Sequence, residues 1–175
     1  REIQPSTTYT LAAAGNDFLI HRRSDQEYFV LENRHQSGRD TAIPDSGLAI
    51  WHFDAAGSNN NQQRTPTMHY YVSLEQADGR FDMENNANSG DSADLYGAVA
   101  TGAFNATTTP DSNWWDGTAS GLGITSVSAP GPSITVSTGE GVTRVISNFA
   151  YVAGGWRVDM HPRFMADTTG DGRAD

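Results

Sequence analysis

The chain has 175 residues, with 21 acidic side chains against 11 cationic ones, all of them arginine, and a formal net charge of −10. This balance argues against nucleic acid and anionic membranes as partners, because neutralising phosphate needs clustered Lys and Arg, and it suits solubility and divalent cations. Cysteine is absent, which excludes disulfides and a thiolate zinc site.

No stretch is apolar and long enough to span a bilayer. Arg1 opens directly in a polar segment without a signal-type run, so the chain reads as a mature or excised piece. Short apolar runs punctuated by Gly, Pro, Ser, Thr, Asn and Asp predict strands over 8–11, 17–21, 27–32, 47–53, 69–75, 123–128, 133–137 and 142–152. The runs at 27–32 and 47–53 are continuously apolar, as doubly buried strands are, whereas Ser133-Ile134-Thr135-Val136-Ser137 alternates as a half-exposed strand does. A helix is expected only near 93–100. The expected fold is all-β, an antiparallel, jelly-roll-like β-sandwich with long acidic loops at 54–67 and 78–109. Loops of that length call for a function or a bound ion to order them. The composition changes after Val152, so residues 1–152 read as one β-sandwich region, and 153–175 as a linker and the start of a new unit.

The chemistry of common enzymes is missing. The five histidines are His21, His35, His52, His69 and His161, and none is followed by Glu or by a second His four residues on, as a zinc-peptidase helix requires. No Gly-x-Ser-x-Gly elbow occurs, and a phosphate loop is impossible without Lys. No catalytic residue is assigned.

The C-terminal stretch from Asp167 to Asp175 offers side-chain oxygens from Asp167, Thr169 and Asp171 at alternate positions. Gly172 permits a sharp turn, Arg173 offers its carbonyl, and Asp175 a further carboxylate. Calcium takes six to eight such oxygens, which gives the spacing a physical reason. Together with the preceding Trp156-Arg157-Val158-Asp159-Met160-His161-Pro162-Arg163-Phe164, this stretch resembles the opening of an FG-GAP or VCBS-type propeller repeat. The resemblance implies a parent protein that continues into a β-propeller.

A second acidic stretch holds Asp78, Asp82, Asp91 and Asp94, with Glu84 and several Asn among them. Carboxylates this close repel unless solvated or bridged by a cation, so the stretch has two readings, a solvated acidic loop or a loop stapled by one calcium ion with Asp54 as a candidate extra ligand. The pieces Glu27-Tyr28-Phe29-Val30-Leu31-Glu32-Asn33-Arg34, Gly38-Arg39-Asp40, Ser46-Gly47-Leu48-Ala49-Ile50-Trp51-His52-Phe53-Asp54, Leu74-Glu75-Gln76-Ala77-Asp78-Gly79 and Gly90-Asp91, in this order, resemble the region downstream of the zinc site in immune-inhibitor-A-like secreted metallopeptidases. That resemblance implies an extracellular, non-catalytic region packed beside a zinc-dependent catalytic domain. The zinc belongs to that missing domain, because its His-Glu-x-x-His helix is not in this chain.

Other residues have two readings. His52 and His69 could meet with Asp54 as a transition-metal site, or be hydrogen-bonded structural histidines. Trp114 and Trp115 are candidate ligand-binding residues, suited to stacking on a sugar or anchoring a protein, if they do not simply cover the sandwich edge. Arg34, between Glu32 and Asp40, is expected to form a structural ion pair. Asn105-Ala106-Thr107 matches an N-glycosylation acceptor. Two functions are therefore expected: a calcium-binding accessory region of a secreted zinc metallopeptidase, or a secreted carbohydrate- or protein-binding module.

Overall fold

A computed structural model describes residues 1–58, 64–97 and 102–140. The chain divides into two units, Arg1–Val142 and Thr143–Asp175. The expected strand at 142–152, the unit at 153–175 and the candidate ligands Asp167, Thr169, Asp171, Arg173 and Asp175 all lie outside the described residues.

Among the described residues seven strands form: β1 (Thr8–Ala12), β2 (Phe18–Arg22), β3 (Glu27–Arg34), β4 (Gly47–Asp54), β5 (Val72–Leu74), β6 (Ile124–Val127) and β7 (Ser133–Thr138). They make a four-stranded antiparallel meander in the order β2-β3-β4-β5 and a three-stranded antiparallel sheet in the order β1-β7-β6. The fold is all-β and sandwich-like, as expected. Among the described residues there is no α-helix, only a 3-10 turn at Gly38–Asp40, and no helix long and apolar enough to cross a membrane.

The core is built from the inward faces of both sheets: Leu11, Ile134 and Val136 from one, Leu19, Phe29, Leu31, Leu48 and Ile50 from the other, closed by Tyr96, Phe104 and Ile124. Phe104 meets Phe29 and Tyr96 edge-on, at 5.7 and 5.8 Å between ring centres. The sheets are also tied by a polar link. Asn33 of β3 is buried and donates from Nδ2 to the carbonyls of Leu11 on β1 (3.1 Å) and Gly131 just before β7 (3.0 Å).

Strand β7 alternates as expected, with Ile134 and Val136 inward. β3 does not behave as a doubly buried strand: Phe29, Leu31 and Asn33 are buried, while Tyr28, Val30, Glu32 and Arg34 are half-buried. Its outward side chains are apolar because they sit in cross-strand rows, Ile20–Val30–Trp51–Leu74 and Arg22–Tyr28–Phe53–Val72, that cover one another. Tyr28 and Phe53 stack at 5.0 Å, and the Arg22 guanidinium lies 5.4 Å over the Tyr28 ring. Arg34 bridges two carboxylates, Glu32 (3.2 Å) and Asp40 (2.8 Å).

The helix expected near 93–100 does not form over its described part. Tyr96 exchanges both backbone hydrogen bonds with Leu48 (2.9 and 3.0 Å), and Ala77 donates to the Asp94 carbonyl, so these peptide groups serve the sheet edge instead of a helical ladder. Strand β5 is shorter than the expected 69–75, because His69 is held by its side chain and its carbonyl accepts from Ser58.

The Asn33 link yields a prediction. Asn33→Ala leaves the buried Leu11 carbonyl and the part-buried Gly131 carbonyl without their donor and should cost about 2 kcal/mol, measured as a lower urea midpoint with unchanged slope. A change within the error of the midpoint would show that the sheets do not depend on it.

Candidate functional site

The chain from the end of β5 turns at once into the acidic loop. Gln76, fully buried, fixes the loop's direction: its Oε1 accepts from the Asp82 backbone N–H (2.9 Å) and its amide donates to the buried Glu84 carboxylate. Asp78, Asn88 and Asp91 then each sit in a small turn closed by their own side chain. Asp78 Oδ1 accepts from Arg80 N–H (3.0 Å), Asn88 Oδ1 from Gly90 (2.8 Å) and Asp91 Oδ1 from Ala93 (2.8 Å). Gly90 has φ +103, and a Cβ there would lie 2.8 Å from Pro44 and 3.2 Å from Asp94 Oδ2, so glycine is required where the chain passes beneath the carboxylates.

These turns bring one oxygen each from Asp78, Asp82 and Asp91 within 4.8 Å of one another, the group of carboxylates or imidazoles among the described residues that is close enough to hold an ion. The Asn88 amide reaches both Asp82 (3.3 Å) and Asp91 (3.1 Å). Asp78 Oδ2 is buried and accepts no hydrogen bond; the nearest cation, Arg80 Nε, is 3.5 Å away. Asp94 stands behind the group, 3% exposed, with Oδ2 accepting from Asp91 N–H at 2.6 Å. Burial pushes the Asp94 carboxyl above the ordinary carboxylate range; the Asp91 N–H bond opposes the shift, and the charges of Asp91, Asp78 and Asp45 add to it. Asp45 is raised in the same way, by burial first, against N–H bonds from Leu95 and Ser46.

Asp54, the candidate extra ligand, is not in this group. It ends β4, caps the Ala56 N–H (2.8 Å) and meets His69 Nε2 at 2.8 Å. His52 and His69 are not brought together as metal ligands either. Both lie nearly parallel to Trp115, with ring centres at 5.1 and 4.3 Å, and His52 points its nitrogens at Glu27 (3.3 Å) and Glu75 (3.5 Å).

The two adjacent tryptophans part company. Trp114, 6% exposed, joins the core between Phe29 (5.2 Å) and His21 (5.6 Å). Trp115 is half-buried, donates its backbone N–H to Glu27 (2.8 Å) and lines a cavity with Arg64, Phe81 and Asn113. Glu75, Arg64, Phe81 and Gln76 are site residues that the sequence reading did not single out. Arg64 carried one signal, as the only cationic side chain between Arg39 and Arg80. Compared with protein-family models, curated proteins and solved structures, the chain matches none of them.

Asp94 supplies a pH prediction. Its raised folded value means its favourable contribution is present below the unfolded value, about pH 4, and is lost as pH rises through the folded one. Asp94→Asn keeps an acceptor for Asp91 N–H without the charge. In chelator, the variant should gain in unfolding midpoint over the parent as pH climbs from acid to neutral. A difference that stays constant across that range would mean that Asp94 carries no such penalty.

Proposed function

We propose that this chain is a non-catalytic, calcium-binding β-sandwich region of a secreted zinc metallopeptidase, which packs beside the parent's catalytic domain and supports its fold outside the cell. The observation that carries the calcium part is the convergence of Asp78, Asp82 and Asp91, with an Asp78 oxygen buried and lacking a hydrogen-bond donor. Three carboxylates held this close, with only the exposed Arg80 beside them at 3.5 Å from Asp78, are costly, and a hard divalent cation relieves that cost. The peptidase part rests on the order of the sequence pieces from Glu27 to Asp94 and on no residue of this chain acting as catalyst. Zinc stays with the catalytic domain. A second calcium loop, with Asp167, Thr169, Asp171, Arg173 and Asp175 as ligands, belongs to the same proposal as the start of a propeller repeat.

The alternative, a lectin-like module, has less support. Sugar binding uses an open aromatic face, whereas Trp114 is in the core and Trp115 already carries two parallel imidazoles.

Thermal unfolding in EGTA and then in excess calcium tests the reading. Calcium at a hundredfold excess over its dissociation constant should add about 2.7 kcal/mol. Asp91→Asn keeps the acceptor for Ala93 N–H, so loss of the calcium response in this variant marks the ion and not the turn. Asp171→Asn separates the C-terminal loop. An unchanged midpoint, with no calcium found by elemental analysis of the purified chain, would sink the proposal.

A further inference from the structure

Beside Trp115 lies a cavity of about 290 Å³, with Arg64, Glu75, Phe81, Asp111, Asn113 and Trp115 in its walls. Small-ligand sites are hollows of this order, apolar in the main with a few converging polar groups. Two buried ionisable side chains also line the cavity. His52 and Glu75, each 2% exposed, form its base, and His52 Nε2 makes no hydrogen bond. Arg64 pairs with Glu75 (2.9 Å), and Arg23 pairs with Glu27 (2.9 Å) and Asp116 (2.7 Å). Within the cavity lining itself one arginine, Arg64, faces two carboxylates, Glu75 and Asp111, an excess of one negative charge, His52 aside.

The excess falls at Asp111. It is exposed, its Oδ1 accepts from Asn113 N–H (2.8 Å), and no cationic side chain among the described residues lies within ion-pair distance of it. The walls already hold one cation of the chain: the Arg64 guanidinium sits 3.7 Å from the Phe81 ring centre and 5.3 Å from that of Trp115. Aromatic faces and carboxylates together favour cations. An anionic ligand would meet the carboxylates of Glu75 and Asp111, and a sugar would find the Phe81 face taken by Arg64 and the Trp115 indole by His52 and His69.

We propose that this cavity receives the cationic side chain of a peptide, lysine or arginine, with its charged head on Asp111 and its methylene stem along Thr109 and Pro110. The chain's net charge of −10 steers such a ligand toward it. The proposal does not depend on the calcium reading, since Asp111 takes no part in the acidic triad.

The test is a titration of the whole chain, in calcium buffer, with N-acetyl-arginine amide, N-acetyl-lysine amide and the neutral isostere N-acetyl-citrulline amide. The Trp115 indole N–H resonance, assigned through Trp115→Phe, is the readout. The two cationic probes should shift it saturably and the neutral one should not, with affinity falling as salt is raised. Asp111→Asn retains the acceptor for Asn113 N–H and so the turn; it should weaken binding about fivefold, the worth of a partly exposed ion pair. Equal binding of arginine and citrulline probes, an unaffected Asp111→Asn, or no saturable shift at any soluble concentration would overturn the proposal.

Discussion

Eight consecutive residue pairs between β3 and β4, from Glu27↔Asp54 to Arg34↔Gly47, set the position of nearly everything else. Side chains alternate across a strand, so this register sends Phe29, Leu31, Ile50 and His52 into the sandwich and Tyr28, Val30, Trp51 and Phe53 to the outer face. A slip of one residue would exchange the two sets and bury Glu32 and Arg34 in place of Leu31 and Asn33. It would also place the wrong residue against Leu11 and Gly131, where Asn33 joins the sheets. The same register puts two carboxylates, Glu27 and Asp54, opposite each other at the strand ends, an arrangement that repels on its own. Each is drawn off by separate partners: Glu27 by Arg23 and the Trp115 N–H, Asp54 by His69 and the Ala56 N–H.

Burying charge is costly unless every group finds a partner. In this molecule part of the buried charge lies by the acidic loop, at Asp45, Glu84 and Asp94, and part at one end of the larger sheet, where Glu27, Glu75, His52, Asp54 and His69 lie around Trp115. A flat indole suits that place: it excludes water, stacks on both imidazoles, and accepts a cation near its ring. The other half of the sheet is quieter. Its charges, Glu32, Arg34 and Asp40, form a chain of ion pairs on the outer face, with Trp51 Nε1 donating to Glu32 (3.0 Å).

The strands were legible because alternation and turn residues are local signals. Ile134 and Val136 announce a half-exposed strand without reference to any other part of the chain. The apolar run at 27–32 misled for a physical reason: Tyr28 and Val30 are apolar because they cover neighbouring strands on an outer face, which a single strand cannot reveal. The acidic triad was legible as to Asp78, Asp82 and Asp91, since short Asn- and Gly-rich turns between carboxylates fold them toward one point. Asp54 was misplaced, because its partner His69 is fifteen residues away and reaches it only after β5 returns to pair with β4. Gln76 and Glu75 gave no signal at all. Polar residues at a strand end read as solvent-facing, and only the packing of the acidic loop over β5 buries them.

The acidic group and the Trp115 cavity are joined by a very short piece of chain. Asp78 and Asp82 bracket Phe81, whose φ of +54 is uncommon for a residue with a side chain, and Phe81 is the ring on which Arg64 lies. Arg64 in turn holds Glu75, and Glu75 faces His52. The turn that points Asp78 and Asp82 toward Asp91 is therefore the turn that presents Phe81 to Arg64. Carboxylate repulsion that opens the first arrangement acts directly against the second, and any charge that draws the carboxylates together tightens the wall of the cavity. Gln76, bonded to both the Asp82 backbone and Glu84, anchors that turn to the end of β5.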